Sequence, residues 1–88
     1  MSQIDCFTND KFSVLAHLYD VRGSDNKARI TQQEIADYLD LSRATINKIM
    51  RELKEEGYVE LDGVHVGRYV LMDKAMTVIR MFRGLEAN

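Results

Sequence analysis

Between residues 31 and 56 the chain carries two helix-start signals close together, which constrains the fold more than anything else in it. Thr31-Gln32-Gln33-Glu34 is a capping box, threonine at the cap and glutamate three residues on, so a helix begins at Gln32. Ile35, Ala36 and Leu39 form its buried face. Asp40-Leu41 interrupts, and Ser42 is a good N-cap for a further helix running to about Glu56. Ile46, Ile49, Met50 and Leu53 make the inner stripe of that helix, and Gly57 is placed to close it in the left-handed region. Two short helices joined so tightly must cross at a corner. Ile35, Leu39, Leu41, Ile46 and Ile49 supply the apolar contacts, and Ala36 is the small residue where the backbones meet.

The flanking segments read as follows. Residues 8–20 place Phe12, Leu15, Leu18 and Tyr19 on one helical face, with Thr8, Asn9 or Asp10 available as cap. A polar loop at 22–27 ends that helix, and Ala28-Arg29-Ile30 is expected to be a short strand. Tyr58-Val59-Glu60-Leu61 and Arg68-Tyr69-Val70-Leu71 are β-branched and aromatic stretches separated by a glycine-containing loop, which predicts a hairpin. Asp73 is expected to cap a last helix over 74–85, with Met76, Ile79 and Phe82, and less regularly Val78 and Leu85, on its apolar side. The 88 residues suffice for one small domain with a single core. The expectation is therefore a mainly helical α+β domain over 1–88. It is a winged helix-turn-helix, with a three-helix core, a β-hairpin wing at about 58–71 and an extra C-terminal helix.

Charge and cysteine content narrow the function. No apolar run approaches the roughly 20 residues of a membrane span. The first six residues have neither the basic start nor the apolar stretch of a signal peptide, so a soluble cytoplasmic protein with no membrane partner is expected. Cys6, His17 and His65 are the whole stock of soft ligands, too few and too scattered for a structural zinc site, so no metal or other cofactor is expected. Cys6 reads as a small apolar residue. His17 is expected to be partly buried or at an interface, and Met72, Met76 and Met81 to fill core or dimer contacts. There is no Ser/His/Asp set and no glycine-rich phosphate loop, so no catalytic residues are assigned and an enzyme is not expected.

Net charge is −2, but its distribution is uneven. Residues 42–54 hold Arg43, Lys48, Arg51 and Lys54 against Glu52 alone, a local basic footprint in an acidic chain. The positions facing outward on the early turns of that helix are Ser42, Arg43, Ala44, Thr45, Asn47, Lys48 and Arg51, all polar or small and none acidic. In DNA-bound proteins of this architecture the same part of the second helix lies in the major groove. Double-stranded DNA is therefore the expected partner.

The stretch ITQQEIADYLDLSRATINKIMRELKEEGYVEL resembles the winged-helix bacterial regulators of the MarR, ArsR and Crp type, and RYVLMDKA resembles their second wing strand running into the next helix. The resemblance implies a dimeric repressor or activator of transcription. It implies that Thr31, Gln32 and Gln33 touch the phosphate backbone, where helix N-terminal N–H groups can bind a phosphate oxygen. It sets Arg43, Thr45, Asn47 and Lys48 towards the groove. Arg43 is suited to a guanine edge, Asn47 to an adenine edge, and Ala44 or the Thr45 methyl to a thymine methyl. Lys48 and Arg51 are placed for phosphate, and His65 and Arg68 for the wing's contacts with the backbone or minor groove. Asp40 takes the turn position where glycine is usual, and aspartate tolerates left-handed geometry better than most residues. The wing tip, residues 62–67, has no lysine or arginine before Arg68, so the helix-turn-helix half is expected to carry the binding.

Phe7, Phe12, Tyr19, Ile79, Phe82 and Leu85 exceed what a core of this size would hide, and a large exposed apolar patch marks a partner surface. Homodimerisation through helices 8–20 and 74–85 follows, against a slightly larger monomeric core. The sequence assigns no small-molecule effector; one would act at the dimer interface. Two further readings stay open: a winged helix used for protein contact, and the DNA-binding module of a replication initiator or mobile element.

Overall fold

The computed structural model describes residues 9–63 and 67–87. Its elements in chain order are α1 (Asn9–Val21), β1 (Lys27–Arg29), α2 (Gln32–Leu39), α3 (Arg43–Glu55), β2 (Val59–Leu61), β3 (Arg68–Leu71) and α4 (Asp73–Ala87). The strands form one antiparallel sheet in the order β1-β3-β2. Ala28 lies opposite Tyr69 and Tyr69 opposite Leu61, which fixes which sheet face meets the helices.

The helix ends follow the local chemistry. The Thr31 hydroxyl accepts the Glu34 N–H at 3.1 Å, and the Glu34 carboxylate accepts the Thr31 N–H at 2.8 Å. Asp40 closes α2 in the left-handed region at φ 56° and ψ 46°, its N–H donating to the Ala36 carbonyl. Ser42 caps α3, accepting the Thr45 N–H at 3.0 Å. At the far end of α3, Gly57 at φ 84° lets its own N–H donate to Lys54 and the Tyr58 N–H donate to Leu53. This pair of bonds is a Schellman closure.

The structure shifts several expected boundaries by a residue or two. Tyr58 belongs to the closure of α3 rather than to β2, because its N–H is already bonded to Leu53. The short strand begins at Lys27, paired with Val70, and ends at Arg29, since the chain must turn at Ile30 to reach the Thr31 cap. Asp73 is the first residue of α4 rather than its cap; the Met72 carbonyl accepts the N–H groups of Ala75 and Met76.

The core gathers Leu15 and Leu18 of α1, Ile35 of α2, Ile46 and Leu53 of α3 and Ile79 of α4, with Val59, Tyr69 and Leu71 from the sheet. Ala36 is 2% exposed at the α2–α3 crossing, while Leu39 and Leu41 pack against the cluster's edge. The apolar surplus expected to form a partner surface is in large part consumed within the chain. Ile79 is fully buried, Phe12 and Tyr19 pack against the core, and the Phe12 and Phe82 rings lie 5.2 Å apart. Phe7 and Cys6 lie outside the described residues, as does the Leu85 side chain. Tyr19 is flanked by Arg22, 3.6 Å from its ring centroid, and by Arg83. A hydrogen bond from Arg80 pulls the Tyr19 hydroxyl below its ordinary range. His17 is half-buried and stacks on Tyr38 at 4.0 Å. Of the methionines expected as filler, Met76 is buried, Met72 half-buried and Met81 57% exposed. No described helix is long and apolar enough to cross a membrane, and no cluster of metal-ligating side chains occurs among the described residues.

Candidate nucleic-acid interface

The amphipathic division of α3 sets the site. Ile46, Ile49, Met50 and Leu53 are buried, so Arg43, Ala44, Asn47, Lys48, Arg51 and Lys54 stand on the opposite, exposed side. Glu52, the one acid between residues 42 and 54, points away from that face. It pairs with Lys11 of α1, which also meets Glu56 at 2.7 Å. The exposed face is thus free of acid from Arg43 to Arg51, and Glu55 is the first carboxylate to follow. Among the described residues, Lys48, Arg51 and Lys54 make no ion pair, so their charge is available to an outside anion.

The start of α2 stands beside this face, because the capped turn folds the two helices against each other. Arg43 Nη1 donates to Gln33 Oε1 at 3.5 Å, and Asn47 Nδ2 donates to Gln32 Oε1 at 3.3 Å. Gln33 Nε2 in turn donates to Asp37 Oδ1 at 2.9 Å, one helical turn further on. Ser42 and Thr45 are tied into the cap. The Ser42 hydroxyl donates to Thr45 Oγ1 at 2.8 Å, and Thr45 is half-buried at the margin of the exposed face. A groove of about 250 Å³ runs between the start of α2, the outer side of α3 and β2. Gln32, Asn47, Arg51, Lys54, Glu60 and Leu61 are among its lining residues.

The wing adjoins the start of α2. Ile30 N–H donates to the Gly67 carbonyl at 2.8 Å, and a Cβ at Gly67 would stand 3.3 Å from the Thr31 methyl at φ 79°. Only glycine meets both demands. Arg68 begins β3 on the sheet face opposite Tyr69, away from the core, where it is paired in register with Arg29. The other bases of that face are engaged: Arg29 with Asp25 at 2.7 Å and Lys27 with Asp62 at 3.4 Å. The Arg29 guanidinium, with the Lys27 N–H beside it, holds the Asp25 carboxyl below its ordinary range.

The structure therefore gathers Gln32, Gln33, Arg43, Asn47 and Arg51 in one place, with Ala44 and Lys48 on the same helix face. It leaves Arg68 on a separate surface, and His65 lies outside the described residues. Two members of the site were not read from the sequence. Asp37 supports Gln33, and the signal was the four-residue spacing of Gln33 and Asp37 along a helix. Lys54 lines the groove and was counted in the charge cluster without being assigned to the site.

The Crp-like helix-turn-helix domain family matches residues 13–76, from within α1 to the first turn of α4. No curated protein sequence matches the chain. Among solved structures, S. aureus MepR in complex with DNA is similar at a TM-score of 0.72 and 21% identity; the match covers 96% of this chain and 69% of MepR. The M. tuberculosis transcriptional regulator MosR, also in complex with DNA, is similar at a TM-score of 0.64 and 25% identity. That match covers 91% of this chain and 62% of MosR, so the chain spans less than two thirds of that relative.

Proposed function

The chain belongs to the Crp-like helix-turn-helix domain family, and from that premise we propose that it regulates transcription by laying α3 in the major groove of double-stranded DNA. The observation that carries this reading is the exposed, acid-free side of α3, with Arg43, Asn47, Lys48 and Arg51 on it. Both solved relatives named above are DNA complexes, which supports the same partner.

In this reading Arg43 addresses a guanine edge, Asn47 an adenine edge, and Ala44 a thymine methyl. The Thr45 methyl is a weaker candidate, given its position at the margin. Lys48, Arg51 and Lys54 take phosphate, as do the N–H groups at Gln32 and Gln33, with the Ser42 turn setting the approach. The Thr31 N–H is already given to Glu34, so Thr31 serves by capping that turn. Arg68 and His65 would reach DNA only if the duplex also meets the wing. The chain acts as a homodimer through the terminal helices, with Met81 of α4 exposed for that contact. It has no catalytic role, and it works in the cytoplasm.

Fluorescence anisotropy with duplexes selected from genomic fragments, over a salt series, tests the assignment. Affinity falls steeply as salt rises, because each neutralised phosphate releases counterion. Arg43→Ala with Asn47→Ala removes about 1–3 kcal/mol of discrimination for each base pair they read. Unchanged affinity of the double variant for every duplex would show that α3 does not read DNA, and would leave protein contact as the use of this winged helix. Selected fragments from an origin repeat rather than a promoter would point to a replication protein. Light scattering is expected to give about twice the chain mass of 10.2 kDa; a mass near the single-chain value rules out the dimer.

A further inference from the structure

The two glutamines that open α2 touch the two α3 side chains best suited to reading bases. Resting on the assignment of α3 to the major groove, we infer that Gln32 and Gln33 are positioning residues that set which base edges Asn47 and Arg43 present themselves to, with Asp37 as the anchor behind Gln33.

The chemistry lies in the asymmetry of the amide. A primary amide has two N–H donors on one side and an acceptor on the other. Adenine in the major groove asks for one of each, a donor to N7 and an acceptor from N6. Asn47 gives one N–H to Gln32 Oε1, so its second N–H and its Oδ1 are left, which is the pair adenine requires. Were the amide turned over, Oδ1 would be spent on α2 and two donors would face the groove, a pattern adenine cannot match. Gln32 thus chooses between two faces of the same side chain.

The second arm is fixed from behind. The ionised Asp37 carboxylate only accepts hydrogen bonds, so it holds the Gln33 NH₂ group and leaves Gln33 Oε1 turned towards Arg43. Arg43 is long and otherwise free to swing. One Nη1 hydrogen held by Gln33 keeps the guanidinium over the start of α3, with its remaining N–H groups available to a guanine edge.

A role in positioning differs measurably from a role as a phosphate anchor. Selection from a randomised duplex pool, followed by anisotropy on single-base variants of the preferred duplex, separates them with the full chain. Gln32→Ala is expected to lose about tenfold of the preference for adenine at one position. Gln32→Glu keeps an acceptor for Asn47 but places a negative charge near phosphate. It is therefore expected to retain that preference while binding every duplex more weakly. Gln33→Ala and Asp37→Ala should both relax the guanine position and leave the adenine position alone. All three positions are exposed or half-buried, and circular dichroism checks that each variant keeps its helices.

If Gln32→Ala instead weakens binding to all duplexes equally with its base profile unchanged, Gln32 is a phosphate contact and the positioning role is wrong. The same holds if Gln32→Glu loses the adenine preference. A wild-type chain that draws no preferred sequence from the pool overturns the DNA-reading assignment itself, and this inference with it.

Discussion

Asp40 shows how one side chain decides whether the two helices can meet. It sits in the left-handed region at φ 56°, where a residue with a Cβ is strained and aspartate less so than most. Asp40→Gly is expected to hold or raise stability, and Asp40→Val to cost about 1–2 kcal/mol in urea denaturation. A Val variant as stable as the parent would mean that the turn is not held in that conformation. Asn47 is a second such position. Asparagine is a poor helix former, yet it occurs at an exposed site in the middle of α3, where a better helix former would stabilise the helix. Its bond to Gln32 gives that cost a purpose. Asn47→Ala is thus expected to raise helix stability slightly while relaxing base preference, and the two effects are read by thermal melting and by anisotropy.

The elements are set by their ends as much as by their faces. Gly57 has open space around its Cα but a φ of 84°, so Gly57→Ala strains the backbone without any clash. It should cost about 1 kcal/mol, and a midpoint lower by about 4–8 °C per kcal/mol in a domain of this size. The α2–α3 crossing responds to volume instead. Ala36 is the small residue at the contact, and Ala36→Leu is expected to cost about 1–3 kcal/mol through overpacking. Because that change also moves the start of α2 relative to α3, it should weaken DNA binding more than the Gly57 variant does at matched stability. Equal losses in the two would place the glutamine contacts outside the binding geometry.

Across the whole chain the charges are sorted rather than plentiful. Glu52 and Glu56 are turned to Lys11 of α1, and Lys27 and Arg29 of the outer sheet face are paired with Asp62 and Asp25. An overall negative chain can therefore still present one positive side. Lys48→Ala should lower the slope of log affinity against log salt by about 1, with the ratio between duplexes unchanged. A changed ratio would assign Lys48 to a base. The capping box, the Ser42 cap and the apolar stripe of α3 were legible in the order of residues, because capping and helical period act within a few positions along the chain, whereas the left-handed turn at Asp40 was implied by the resemblance. The terminal helices were less so. Counting Phe12, Tyr19, Ile79 and Phe82 suggested an exposed surplus, whereas α1 and α4 pack on one another and bury much of it. Likewise Gln32 and Gln33 looked like phosphate contacts alone until the fold brought them to Asn47 and Arg43, fifteen and ten positions away. Local hydrogen bonding and helical period fixed where each helix starts, stops and turns its apolar side. Which polar side chains stand together on the reading face depended on the helix crossing, since contacts across so many residues form only when the core closes.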